Sequence, residues 1–161
     1  RWVSRPSWSA REEEGGSRSN PAEAARIYGL VQELLVPGDI TPGQIGIITP
    51  YSGQVRALCD IFDSNKEREQ GQRYAGLEIT SVDGYQGREK EVIIFSAVRS
   101  NPDGIVGFLS DRRRLNVAIT RAKRGLIVLG DPQTLRFDPT WRSWLDWADE
   151  RGLFAWHLVN D

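Results

Sequence analysis

The stretch "TSVDGYQGREKEVIIFSAVRSN", Thr80 to Asn101, decides how this chain is read. It opens like a strand, breaks into a charged loop punctuated by Gly84 and Gly87, and becomes the apolar run "EVIIFSAV". Such a run, bounded by turn signals and rich in β-branched residues, predicts a strand buried on both sheet faces. "QIGIITP", "LEITSV" and "LIVLGD" predict three more strands. Helical patterns lie between them. After Asn20, a capping residue, and Pro21, tolerated at the first helical position, Ala24, Ile27, Leu30 or Val31, and Leu34 make an apolar stripe. A second stripe holds Val55, Leu58, Cys59, Ile61 and Phe62 before the pattern dissolves in the polar "DSNKEREQGQRYAG". "DRRRLNVAITRAKRG" predicts a helix from Asp111 to Arg124, and "DPTWRSWLDWADERG" a last one. Strands alternating with helices imply an α/β fold, a mainly parallel sheet with helices on both faces.

Bulk properties narrow the classes. The 161 residues, 39% hydrophobic and 27% charged, are sized for one domain with a real core. No apolar run approaches the roughly 20 residues that a membrane span requires. One cysteine, Cys59, and one histidine, His157, cannot build a disulfide framework or a Cys/His zinc site within the chain. A reducing location, cytoplasmic or nuclear, is the expectation. The start at Arg1 reads as an excised piece of a longer chain, with 1–16 an opening strand or loop and 138–161 a last helix and tail. Net charge is −1, yet residues 88–124 hold nine Lys/Arg against four Asp/Glu. That local excess suggests phosphate or nucleic acid, or simply a solvated basic face.

Ligands of open α/β sheets bind outside the carboxyl ends of the strands. Four polar segments follow those ends here: "TPYSGQ", "SVDGYQGRE", "VRSN" and "GDPQ". On a helix from Asp111, Leu115, Ala118, Ile119 and Ala122 share the sheet-facing side at 100° per residue, and Arg114, Val117 and Arg121 form a stripe beside it. Guanidinium groups held there suit phosphate oxygens or, alternatively, neighbouring carboxylates. Trp141, Trp144, Leu145 and Ala148 form a stripe that reads as core or docking residues, with Trp147 off it.

Taken together, "ITPYSGQ", "SVDGYQGREKEVIIFSAVRSN" and "GFLSDRRRLNVAITRAKRGLIVLGD" resemble motifs IV, V and VI of superfamily-one helicases, in order, from about Ser17 to Asp131. The likeness is to the group acting in nonsense-mediated mRNA decay, transcription termination and DNA flap processing, which includes the immunoglobulin mu-binding protein helicase. The resemblance implies a second RecA-like motor domain over 1–161, a three-layer sandwich. Arg121 matches the motif VI arginine that reaches the γ-phosphate of ATP from across the cleft between two RecA-like domains. Glu89 matches the acid that bonds the ribose, and Gly87 and Gln86 shape the γ-phosphate side. Gln54 and Tyr51 belong to motif IV near the nucleotide, and Arg114 matches a supporting phosphate contact or a structural partner of motif V. Thr49, Thr80, Ser81, Arg99, Ser100 and Asn101 resemble positions that hold a single-stranded RNA or DNA backbone, expected on the other lip of the same edge. Some relatives carry an arginine directly after the motif IV glutamine; here that position is Val55 and the arginine is Arg56.

No "GxxxxGK[ST]" occurs in the sequence, so the phosphate loop and the magnesium carboxylates of a P-loop motor are absent from it. The resemblance therefore implies half a motor, with Mg²⁺ held mainly by the first RecA-like domain of the same chain and little activity in the fragment alone. Translocation on single strands, five-prime to three-prime, is what the group does. The rival expectation is a RecA-like module that binds nucleic acid or protein without turnover. A dinucleotide-binding enzyme is excluded, because no strand leads into a GxGxxG turn.

Overall fold

The four apolar runs all become strands of one sheet. The computed structural model describes residues 2–3, 10–12, 17–65 and 73–154. In chain order these form β1 (Trp2–Val3), β2 (Arg11–Glu12), β3 (Arg18–Ser19), α1 (Pro21–Leu35), β4 (Ile45–Thr49), α2 (Ser52–Ser64) and β5 (Glu78–Ser81), then β6 (Lys90–Ser96), α3 (Arg112–Ile119), β7 (Ala122–Leu129), α4 (Pro132–Leu135) and α5 (Pro139–Glu150). The sheet has the order β1-β7-β6-β4-β5, and every neighbouring pair is parallel. β2 and β3 pair separately as an antiparallel ribbon that the sequence did not announce. His157 and the 155–161 tail lie outside the described residues, as do 66–72 of the polar stretch after α2.

Alternation along the strands fills both faces. From β6, Val92 and Ile94 meet Ala24, Ile27, Leu30 and Val31 of α1 and Leu58 and Phe62 of α2. Ile93 and Phe95 point the other way, to Ala118 of α3, Leu135 of α4 and Trp141 and Leu145 of α5. Period-2 geometry thus turns a continuous apolar run into two cores, and a three-layer RecA-like α/β sandwich results. Trp141 is fully buried; its ring lies against Phe95 at 6.1 Å and its indole N–H donates to the Leu109 carbonyl at 2.8 Å. Burying so large a ring requires that its one polar atom be satisfied. Leu145 and Ala148 are buried, Trp144 half-buried and Trp147 exposed, as the stripe implies.

One expected boundary is wrong. The helix from Asp111 stops at Ile119 rather than Arg124, and Ala122–Arg124 belong to β7. Thr120 takes φ −88°, ψ 1°, and its hydroxyl donates back to the Asn116 carbonyl at 2.7 Å. That local bond competes with helical continuation. Pairing of Lys90 with Ala122 then gives the next backbone groups ladder partners, which a free helix end lacks. Tertiary pairing overrides the local periodicity.

Candidate nucleotide and nucleic-acid edges

Parallel strands give the sheet two distinct edges. Thr49, Ser81, Ser96 and Leu129 end their strands at the carboxyl edge; Lys90 and Ala122 begin theirs at the opposite one. Six residue steps of β6 separate the edges by about 20 Å. The loop from Val82 to Glu89 starts at the first, where the Val82 N–H donates to the Thr49 carbonyl. It finishes at the second, where the Lys90 N–H donates to the Arg121 carbonyl at 3.1 Å. Along the way the buried Tyr85 ring crosses beneath β4 to Gly46, where a Cβ would lie 2.5 Å from the tyrosine oxygen. Only glycine permits that crossing.

The expectation of one shared edge is therefore corrected. Arg121, Glu89 and Gly87 gather near the amino edge, while Thr49, Tyr51, Gln54, Ser81 and the Arg99–Asn101 segment lie at the carboxyl edge. At the amino edge the Arg121 Nε donates to the Val117 carbonyl at 3.1 Å and Nη2 to the Thr120 hydroxyl at 3.1 Å. These bonds fix the half-buried side chain, and among the described residues no bond is made by Nη1. Among the described residues Arg121 pairs with no carboxylate, in contrast to its neighbours: Lys123 pairs with Glu89 at 3.0 Å and Arg124 with Glu91 at 2.8 Å. The hydrogen bond and charge of Glu89 raise the Lys123 pKa. Since both partners are well exposed, the pair is readily exchanged for a ligand hydroxyl. Gln86 and Gly87 are exposed, and Gly87 takes φ 79°, a left-handed turn that glycine supplies without strain.

Arg114 stands apart from Arg121. Its guanidinium pairs with Asp83 at 3.2 Å and lies over the Phe108 ring at 5.3 Å. Of the two roles open to it, a partner of the motif V loop is the one the geometry shows. It ties α3 to the start of the 82–89 loop.

At the carboxyl edge, several expected contacts turn inward. Gln54 has no exposure; its Oε1 accepts from the Asn20 N–H at 2.7 Å, and its Nε2 donates to the Asn20 carbonyl and the Ser96 hydroxyl. Its amide has no face left for a nucleotide, so the structure makes it a brace between α2, β6 and the entrance to α1. Tyr51 is buried under Phe108, with its hydroxyl donating to the Val106 carbonyl at 3.3 Å, and burial raises its pKa. Thr49 is fully buried and accepts from the Tyr51 N–H. Thr80 and Ser81 are half-buried, and Ser81 caps the Gly84 N–H at 3.2 Å. Ser100 donates to Asp131 at 2.8 Å, while Arg99 Nε and Asn101 Nδ2 both donate to the Ile105 carbonyl, at 2.7 and 2.9 Å. The segment is a built loop in which Ser100 and Asn101 are partly exposed and the Thr134 hydroxyl bonds both the Asn101 N–H and its carbonyl. Val55 is half-buried and Arg56 exposed on α2.

Sequence reasoning missed Glu23. It lies on the apolar side of α1, four residues before Ile27, and is buried with its carboxylate accepting from the Ser96 hydroxyl at 2.5 Å and the Val98 N–H at 3.1 Å. Desolvation pushes its pKa up to about 8 against the lowering effect of those hydrogen bonds, and the nearby Asp131 charge raises it further. An acid at i of an i, i+4, i+7 apolar stripe was the available signal. Arg112 and Arg113, exposed at the start of α3, form no ion pair among the described residues. No group of three His, Cys, Asp or Glu among those residues is arranged to hold a metal.

A sequence profile of a family described as an AAA domain matches residues 2–133. The chain is 47% identical over 131 residues to an Arabidopsis thaliana protein named "Regulator of nonsense transcripts 1 homolog", covering 81% of this chain and 10% of that protein. It is 44% identical over 147 residues to the Drosophila melanogaster protein of the same name, covering 91% and 12%. Against the Saccharomyces cerevisiae "ATP-dependent helicase NAM7" it is 41% identical over 141 residues, covering 88% and 14%. The chain thus spans between a tenth and a seventh of the length of these curated relatives. By the extent of the profile match the chain belongs to this AAA domain family, and over most of its length it is similar to the proteins named as regulators of nonsense transcripts.

Proposed function

We propose that this chain is the second motor domain of an ATP-dependent helicase or translocase acting on single-stranded RNA or DNA. The relatives named as ATP-dependent helicases support that reading. One structural observation carries it: Arg121 is fixed by Val117 and Thr120 at the amino edge, near Glu89 and, among the described residues, without a carboxylate partner. A guanidinium so held costs little to reorganise when negative charge develops on a γ-phosphoryl group. Arg121 would stabilise that charge, Glu89 would exchange Lys123 for the ribose hydroxyl, and the Gln86–Gly87 turn would approach the nucleotide from the side of Arg121. The first RecA-like domain would supply the phosphate loop and hold Mg²⁺. Thr80, Ser81, Ser100 and Asn101 at the carboxyl edge would track the strand backbone without reading its sequence. A cytoplasmic or nuclear location accords with such a substrate.

The test is strand-stimulated ATP hydrolysis by the parent protein, wild type against Arg121→Ala, with nucleotide binding and thermal unfolding measured alongside. Loss of turnover by about 10³-fold or more with both controls unchanged is expected, the magnitude typical of an arginine finger. Equal turnover in the two proteins, or none in either, would defeat the assignment and favour a module that binds without hydrolysis.

A further inference from the structure

Val98 follows the end of β6 with φ 68°, and among the described residues it is the one non-glycine residue at positive φ. The Arg99 N–H donates to the Ala97 carbonyl at 2.7 Å, closing a three-residue turn around it. This is the left-handed γ-turn, rare and strained for any side chain and most so for a β-branched one. Val98 is wholly buried, so solvent does nothing to relieve it.

Two residues at the start of α1 hold the turn from both sides. Glu23 accepts the Val98 N–H, and the Asn20 Nδ2 donates to the Val98 carbonyl at 3.1 Å. The sequence Asn20-x-x-Glu23 has the spacing of a capping box, in which the acid would reach back to the N–H of the cap residue. Here only half of that box forms: Asn20 accepts the Glu23 N–H at 3.1 Å, but its own N–H goes to Gln54 at 2.7 Å. Gln54 releases the Glu23 carboxyl, which turns to Ser96 and Val98 instead. A buried carboxyl and a strained valine at one spot are two costs that an apolar strand end would have avoided.

What the turn carries is the loop at the carboxyl edge. Arg99 and Asn101 clamp Ile105, whose N–H returns to the Asn101 Oδ1 at 2.8 Å, and the Asn101 N–H donates to Thr134 at 2.8 Å. Rotating Val98 into an extended conformation would redirect every one of these residues. We propose that Glu23 and Asn20 are positioning residues for single-strand binding: by locking Val98 in the left-handed turn they aim the Ser100–Asn101 loop at the nucleic-acid backbone. The inference rests on the carboxyl edge being the strand-binding surface.

The experiment measures, in the parent protein, affinity for a single-stranded oligonucleotide and separately for a fluorescent ATP analogue. Glu23→Ala is expected to weaken strand binding about tenfold, the scale of one lost hydrogen-bonded contact, with nucleotide affinity unchanged because that site lies at the opposite edge. Glu23→Gln, which keeps an acceptor for Val98, should bind the strand nearly as wild type does. Should Glu23→Ala fail to fold, Asn20→Ser decides: serine keeps the helix-cap acceptor but lacks the amide Nδ2 that reaches the Val98 carbonyl. Weaker strand binding with intact nucleotide binding in Asn20→Ser supports the proposal. Unchanged strand binding in folded Glu23→Ala or Asn20→Ser, or equal loss at both sites, overturns it. Arg99→Ala separates the premise from the inference: if it too binds the strand normally, the carboxyl-edge reading itself has failed; if it alone weakens binding, only the positioning role has.

Discussion

Tyr85 shows how much one loop residue can cost. Its ring fills the space beneath Gly46, but among the described residues its hydroxyl is the one buried side-chain polar atom without a hydrogen-bond partner. Burial, with the Glu78 charge adding to it and Arg88 opposing it, pushes its pKa up to about 12. The hydroxyl is thus neutral and unsatisfied, while the ring does the packing. Tyr85→Phe should raise stability by about 1 kcal/mol, the cost of an orphaned buried hydroxyl; denaturant unfolding would show a higher midpoint with an unchanged slope. A lower midpoint would mean that the oxygen finds a partner in solution. Residue-level chemistry was partly legible beforehand. Arg121 and Glu89 were marked by their motifs, but the inward turn of Gln54 was not, because an amide satisfied by Asn20 and Ser96 looks in sequence like one waiting for a ligand.

At the scale of elements, α3 is the informative case. Eight residues make only about two turns, too short to persist without help. Asp111 supplies that help by accepting from the Arg113 and Arg114 N–H groups, at 3.0 and 3.4 Å. The carboxylate also suits the positive end of the helix dipole. Asp111→Ala should therefore destabilise the protein by about 1 kcal/mol. Faster amide exchange should be confined to α3 and the adjoining Asp83 contact of Arg114, and protection that stays unchanged there would show that packing alone sustains the helix. The apolar stripe located this helix correctly and ended it five residues late. Periodicity registers which side chains face the sheet, and Ala122 packs with the same core from a strand as it would from a helix.

For the whole molecule, the buried Glu23 ties stability to pH. Its pKa, near 4.5 in an unfolded chain, rises to about 8 in the fold. The folded state therefore binds a proton that the unfolded state has lost throughout that interval. This contribution is complete below about 4.5 and is lost as pH climbs toward 8, on the order of 1 kcal/mol per pH unit in between. Thermal unfolding of wild type and Glu23→Gln between pH 5 and 9 isolates the effect. The gap between their midpoints should shift against wild type as pH rises, then level off; a constant gap would show that Glu23 does not titrate there. Sequence alone determined the strands and the layers, because hydrophobic period and turn chemistry are local properties. Only the tertiary structure decided that Arg121 and the strand-ending loops occupy opposite edges about 20 Å apart, that Gln54 faces inward, and that Glu23 grips Val98. Those facts depend on which backbone ends parallel pairing brings together and on which polar groups find partners once water has been excluded.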